Sequence, residues 1–291
     1  MSISVKKAIF LLVLIILLLG IGFSKKEKVK PPKPSLKNAM ELAVADLEGE
    51  YGIVIRSLKT GESYQLNEHQ VFTAGSLYKL WVMGVVFQKI KEGDLREDKV
   101  LSGNIEVLNQ KFGIEPEEAE LQTGFISLSV SQALNQMITI SHNYAALLLS
   151  DEIKLSSVKT FLEENGFTGS LIGTDYDLPT TTPFDVALFY EKLYKKELKE
   201  LVDFEFSDKM IELLQNQKLN EGLPKYLPGE IKIAHKTGEI GRFKHDAGIV
   251  YTPSGDYIIV ILSESDFPKN AQEGIAGISK AVYEYFTREQ F

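Results

Sequence analysis

Apolar positions fall in two rhythms along this chain. Helix-period runs dominate its middle, and strand-like runs sit towards both ends. In SLKNAMELAVADLEG, Leu36, Met40, Leu42, Val44 and Leu47 mark a helical face. YGIVIRSL and ESYQLN then flank Lys59-Thr60-Gly61, and two strand-like runs around a short glycine turn predict a β-hairpin. Helical patterns prevail from Ser76 to about Leu227. EIKIAHKTG, HDAGIVYTP and DYIIVILSE supply three further strands, and GIAGISKAVYEYFTREQF closes the chain as an amphipathic helix. The economical arrangement is an α+β fold. One antiparallel sheet forms from the N-terminal hairpin and a C-terminal meander, the terminal helices flank it, and an all-helical lobe is inserted between. Residues 36–75 and 229–291 then make the α/β lobe and residues 76–228 the helical one, with a cleft between lobes as the natural ligand site.

The N-terminus follows another pattern. Lys6 and Lys7 precede Ala8–Phe23, sixteen residues without a charge. That is long for a signal core and short for a spanning helix. Gly22 and Ser24 suit the −3 and −1 positions of a cleavage site. Residues 1–24 therefore read as a signal peptide or membrane anchor, with residues 8–23 contacting the membrane. The remainder is expected outside the cytoplasm: periplasmic, on the cell surface or secreted. Residues 25–35, KKEKVKPPKPS, read as a basic, proline-rich linker to a domain at 36–291.

Composition narrows the chemistry. A net charge of −8 argues against a phosphate-backbone partner, so no nucleic acid is expected. The chain has no cysteine, which excludes thiol catalysis, cysteine–zinc sites, disulfides and a lipoprotein-type anchor. No metal-spaced histidine pair and no Gly-x-Ser-x-Gly elbow occur. No cofactor is implied, and a monomer is expected.

Three short motifs carry candidate chemistry. In TAGSLYKLW, Ser76 and Lys79 stand three apart, on one face of a helix. Burial disfavours a lysine's charge, and a neutral lysine can take a serine proton to make a nucleophile. Ser4–Lys7 and Ser156–Lys159 share the spacing, but the first lies in the leader and the second on a polar helix. Around Ser76 the chain is small and apolar before and strongly apolar after, so this helix is buried. Its first turn can present N–H groups to an anion. The second motif, Ser141-His142-Asn143, offers a hydroxyl and an amide at a helix start, where Ser and Asn are also ordinary caps. Ser102-Gly103-Asn104 is a rival match in a polar loop. The third, HKTGE, puts Lys236, Thr237 and Gly238 on a strand, where glycine lets a substrate approach the main chain. The copy at Lys59-Thr60-Gly61 is a hairpin turn upstream of Ser76.

Ser-x-x-Lys, Ser-x-Asn about sixty residues on, and Lys-Thr-Gly on a late strand are the motif set of class A β-lactamases and penicillin-binding serine D,D-peptidases. From about residue 37 to its C-terminus the chain resembles that superfamily, including the hairpin before Ser76, TTTP at 180–183 and HDAGIVYTPSGDYIIVIL. The resemblance implies an acyl-enzyme. Ser76 would be the nucleophile, Lys79 its proton acceptor, and Ser141 the relay to the leaving amine. Asn143 would bond a substrate amide, and Lys236 and Thr237 would hold a carboxylate. The backbone N–H groups of Ser76 and Glu239 would form the oxyanion hole. The substrate would be a small β-lactam or a cell-wall peptide.

Two departures matter. Class A enzymes carry Glu-x-x-Leu-Asn before Thr-Thr-Pro, and that glutamate orients the deacylating water. Here FTGSLIGTDYDLP holds no glutamate; Asp175 and Asp177 are its only acids. Glu239 shares a strand face with Thr237, near the expected carboxylate, and either repels it or pairs with Arg242 or Lys244. His142 also stands where the family has aspartate, and His235 is expected to pack beside its strand. The expectation is ready acylation with slow deacylation, or a substrate lacking that carboxylate. A D,D-peptidase or related amidase, and a non-catalytic penicillin or peptide sensor, are the alternatives.

Overall fold

The computed structural model describes residues 35–173, 177–199, 201 and 204–288, so the expected leader and the expected linker up to residue 34 lie outside the described residues. Ser35 caps α1 (Leu36–Val44), its hydroxyl accepting from the Asn38 N–H. β1 (Glu50–Ser57) and β2 (Ser63–Leu66) form the expected hairpin. β3 (Phe72–Thr73) leads into a 3₁₀ turn, Gly75–Tyr78, which runs without a break into α2 (Lys79–Glu92). Next come β4 (Val100–Asn104), α3 (Ile105–Lys111), β5 (Phe125–Ser129) and α4 (Val130–Thr139). They are followed by α5 (Asn143–Ile153), α6 (Leu155–Asn165), β6 (Thr180–Thr181), α7 (Pro183–Lys195) and α8 (Phe204–Gln215). β7 (Ile233–Ile240), β8 (Phe243–Val250), β9 (Tyr257–Glu264) and α9 (Pro268–Thr287) complete the order.

The five longer-range strands pair antiparallel in the order β2-β1-β9-β8-β7. Hairpin and meander join where β1 meets β9, with Val54 opposite Val260. Alternation assigns each strand residue to a face. Val54, Ile249, Ile258, Val260 and Leu262 enter the larger core, which α2, α4, α5 and α7 share. Ile53, Ile55, Val250, Ile259 and Ile261 face the other way, onto α1 and α9. With both faces covered, the strands are apolar along almost their whole length.

The larger core is organised around α2, where every residue from Lys79 to Phe87 is buried. Trp81 stacks on Phe167 at 5.1 Å and meets Phe189 edge-on at 5.3 Å. Gly84 is required by close packing, since a Cβ there would lie 2.5 Å from the Phe161 ring.

Three expectations change. The middle of the chain is not purely helical: β4 and β5 pair as a small ribbon, and β6 pairs with β3. Ser102-Gly103-Asn104 therefore ends a strand rather than lying in a loop, and Asn104 caps α3 by accepting from the Val107 N–H. Leu42 is 80% exposed. It follows Met40 by two residues, which on a helix turns it to the far side of the buried stripe through Leu36 and Met40.

Trp81→Ala empties the centre of the larger core and is expected to cost about 3–5 kcal/mol of stability. Trp81 is the chain's single tryptophan, so urea unfolding followed by far-ultraviolet circular dichroism is the measurement. A loss below about 1 kcal/mol contradicts this packing account.

Candidate active site

Side chains three apart eclipse on a 3₁₀ helix, so the turn at Gly75–Tyr78 sets Ser76 and Lys79 along one edge. Ser76 is half-buried and Lys79 is fully buried. The Lys79 amine donates to the Ser141 carbonyl at 2.6 Å, the Ser141 hydroxyl at 3.2 Å and Asn143 Oδ1 at 2.6 Å. Ser141 lies between α4 and α5 with φ of 58°, a left-handed conformation uncommon for serine. That backbone lets its carbonyl and its hydroxyl both meet one amine. His142 is the cap of α5, its Nδ1 accepting from the Ala145 N–H at 3.2 Å, and Asn143 begins the helix.

From β7, Lys236 reaches the same hydroxyl. Its amine donates to Ser141 Oγ at 2.9 Å and to the Thr237 carbonyl at 2.8 Å. One hydroxyl thus sits between two fully buried lysines. Neither can hold a full charge cheaply in that setting. Burial lowers the Lys79 pKa to about 7, with the Glu120 carboxylate pulling the other way. Burial and then the neighbouring Lys79 push Lys236 well below the usual lysine range, opposed by Asp246. Near neutral pH the pair supplies an unprotonated amine, which a proton acceptor must be.

β7 is an edge strand, pairing only with β8, so its outer backbone is free of sheet partners. It also touches the 3₁₀ turn main chain to main chain. A Cβ on Gly75, whose φ is +49°, would lie 2.8 Å from Glu239 N. A Cβ on Gly238 would lie 2.8 Å from the Ala74 carbonyl. Two glycines therefore let turn and strand approach, which brings the backbone at Ser76 and at Glu239 into one neighbourhood.

The Glu239 side chain is 67% exposed and ion-paired with Lys244, directly opposite it in the β7–β8 register. Arg242 pairs instead with Glu264 and Asp266. His235 does more than pack. Its Nδ1 meets Asp246 Oδ1 at 2.8 Å and its Nε2 meets Asn220 Oδ1 at 3.3 Å, while the other Asp246 oxygen accepts the Leu223 N–H at 2.8 Å.

Of the residues named from sequence, Lys79, Ser141, Asn143 and Lys236 form one bonded cluster. Thr237 joins it through its carbonyl, and Gly238 and Glu239 flank it. Ser76 stands beside the cluster with no hydrogen bond from Lys79, whose three bonds all go to the Ser141–Asn143 motif. Asp175 lies outside the described residues. Asp177 lines a cavity of about 310 Å³ that also reaches Asn143 and Glu120.

Glu120 is the residue that sequence reasoning missed. Its Oε1 accepts from Asn143 Nδ2 at 2.6 Å. In IEPEEAELQ it is one of four glutamates, and no spacing separates it from the others. Only the connection between α3 and β5, folding back over the start of α5, picks it out. Among the described residues no group of three or more metal-ligating side chains clusters to hold a metal.

A model of the "beta-lactamase enzyme family" matches residues 34–286. Among solved structures, PBP-A superposes with a TM-score of 0.77 at 25% identity, over 89% of this chain and 99% of that one. A point mutant of PBP-A, in an acyl-enzyme complex with penicillin G, gives 0.76 at 24% identity over 89% and 100%. A β-lactamase from Sphaerobacter thermophilus DSM 20745 gives 0.73 at 22% identity over 85% and 95%. No curated protein matches.

Gly75→Ala combines a left-handed backbone with a clash against the β7 main chain. It is expected to cost about 2–3 kcal/mol in thermal unfolding. Gly61→Ala is the control, with φ of +75° but nothing within 4 Å of the added carbon. Equal losses from both would remove the case for close approach.

Proposed function

The chain belongs to the beta-lactamase enzyme family, and from that premise we propose that this serine hydrolase opens β-lactam amide bonds through an acyl-enzyme on Ser76. The observation that carries the reading is the bonded series Lys79–Ser141–Lys236, with Lys79 brought to about 7. The neutral Lys79 amine takes the Ser76 proton as Oγ attacks the lactam carbonyl. The oxyanion forms against the N–H groups of Ser76 and Glu239, each such donor lowering the barrier by about 3 kcal/mol. The proton then passes from Lys79 to Ser141 Oγ, and the Ser141 proton goes to the departing nitrogen. Lys236, 2.9 Å from that hydroxyl, favours the transfer and with Thr237 holds the substrate carboxylate. Asn143 holds the substrate's side amide.

Deacylation is the slow half. No glutamate stands between Gly166 and Thr180 to orient a water. The acyl-enzyme therefore accumulates on Ser76. The same missing glutamate favours the second reading, a D,D-peptidase acting on cell-wall peptide. Either substrate lies beyond the cytoplasmic membrane, which agrees with the charged and apolar leader at residues 6–23.

Incubation with benzylpenicillin is expected to add one penicilloyl group by intact mass, persisting for minutes, and none to Ser76→Ala. Rapid turnover without an adduct would overturn slow deacylation. Neither adduct nor turnover would overturn the β-lactam reading, and D-alanine release from a pentapeptide would then support the second.

The acylation rate has a pH signature. Lys79 must be neutral to accept a proton, so the rate should rise about tenfold per unit below the Lys79 pKa of about 7 and level above it. Stopped-flow acylation between pH 5 and 9 measures this, and a flat profile contradicts Lys79 as base.

A further inference from the structure

The cavity beside Asn143 has a chemistry that the acylation machinery leaves unused. Leu147, Ile172 and Leu178 give it apolar walls, and the carboxylates of Glu118, Glu120 and Asp177 line it. Its one lysine, Lys111, is ion-paired with Asp151. Among the described residues no cation is ion-paired with any of those three carboxylates. A further wall residue, Ser150, is 2% exposed, and its hydroxyl has no hydrogen-bond partner. A buried polar group without a partner carries a desolvation cost that a ligand can relieve. An apolar stem bearing a positive charge complements the apolar walls and the three carboxylates.

Glu120 shows where that charge belongs. Its carboxylate now accepts the Asn143 side-chain N–H at 2.6 Å. In the reading above, that N–H is the donor for the substrate's side-amide carbonyl. A substrate that takes it leaves the Glu120 carboxylate beside the carbonyl and without its donor. An ammonium on the adjoining carbon would stand two bonds from that carbonyl carbon and would replace what Glu120 loses. The geometry points to an ammonium subsite: the cavity receives acyl groups that carry a primary ammonium next to the amide carbonyl, and Glu120 exchanges Asn143 for that ammonium. The inference rests on the acyl-enzyme reading for its orientation of the substrate. Glu120 is exposed, so water screens the pair and the preference is modest, about threefold.

Ampicillin and benzylpenicillin differ by this one amino group, which makes them the probes. Second-order acylation, followed by intact mass, is expected to be about threefold faster with ampicillin. In Glu120→Gln the ratio should fall to about one, and labelling by benzylpenicillin reports that the variant is folded. No preference in the natural chain, or one unchanged in Glu120→Gln, overturns the subsite. Calorimetric binding of both penicillins to Ser76→Ala separates this from the chemistry. Amine-selective binding with no acylation of the natural chain by either compound keeps the subsite and overturns the acyl-enzyme. Absence of both binding and acylation overturns both.

Discussion

Two lysines share one serine hydroxyl in the interior of this molecule, and most of its architecture follows from making that tolerable. Desolvating an ammonium costs several kcal/mol, and a second one within reach of the same oxygen adds repulsion. The solution is partial: burial moves both amines towards neutrality, and every remaining donor finds an oxygen. That needs α2 sunk among the other helices, because an exposed first turn would restore the Lys79 charge. It also needs the left-handed backbone at Ser141, which presents two acceptors from one residue. The buried Asp246, tied down by His235 and the Leu223 N–H, opposes the fall of Lys236.

The carboxylates divide the cleft surroundings into two kinds. Glu239 is cancelled across the β7–β8 hairpin by Lys244, so the side of the cleft that would meet a substrate carboxylate is not burdened by that acid. On the opposite side, Glu120 forms no ion pair among the described residues and rests on an amide, while its charge still acts on Lys79. The two glutamates look equivalent in sequence, yet one is silenced and the other is held by a weaker bond. The site is therefore uneven along its length, with buried amines at Lys79 and Lys236 and exposed carboxylate beyond Asn143.

What could be read from sequence was whatever is local. The long strands declared themselves because sheet faces covered on both sides leave no polar alternation to interrupt them. VLSGN and FISLS, five residues each with half-exposed patterns, carry too few apolar positions to stand out. Ser76–Lys79 and Ser141–Asn143 are each set by one turn of chain, so their types and spacing survive in the sequence. The pairing of Glu239 needed only the position of the β7–β8 turn, which the reading had narrowed to two cations. Glu120 lies on a connection whose path is set by tertiary packing, and no periodicity encodes that. The Asp246–His235 pair is intermediate, since both residues sit on predicted strands but their facing depends on register.

The sheet topology also dictates when this site can exist. β1 ends at Ser57, but its partner across the sheet, β9, begins at Tyr257, and the Gly75 turn meets a strand that starts at Ile233. Every contact that completes the cleft joins segments far apart in the chain, which slows folding and makes it wait for the last strands. During synthesis the N-terminal hairpin must persist without its neighbour while nearly two hundred residues are added. The serine and its two lysines therefore come together only after β7 has been made.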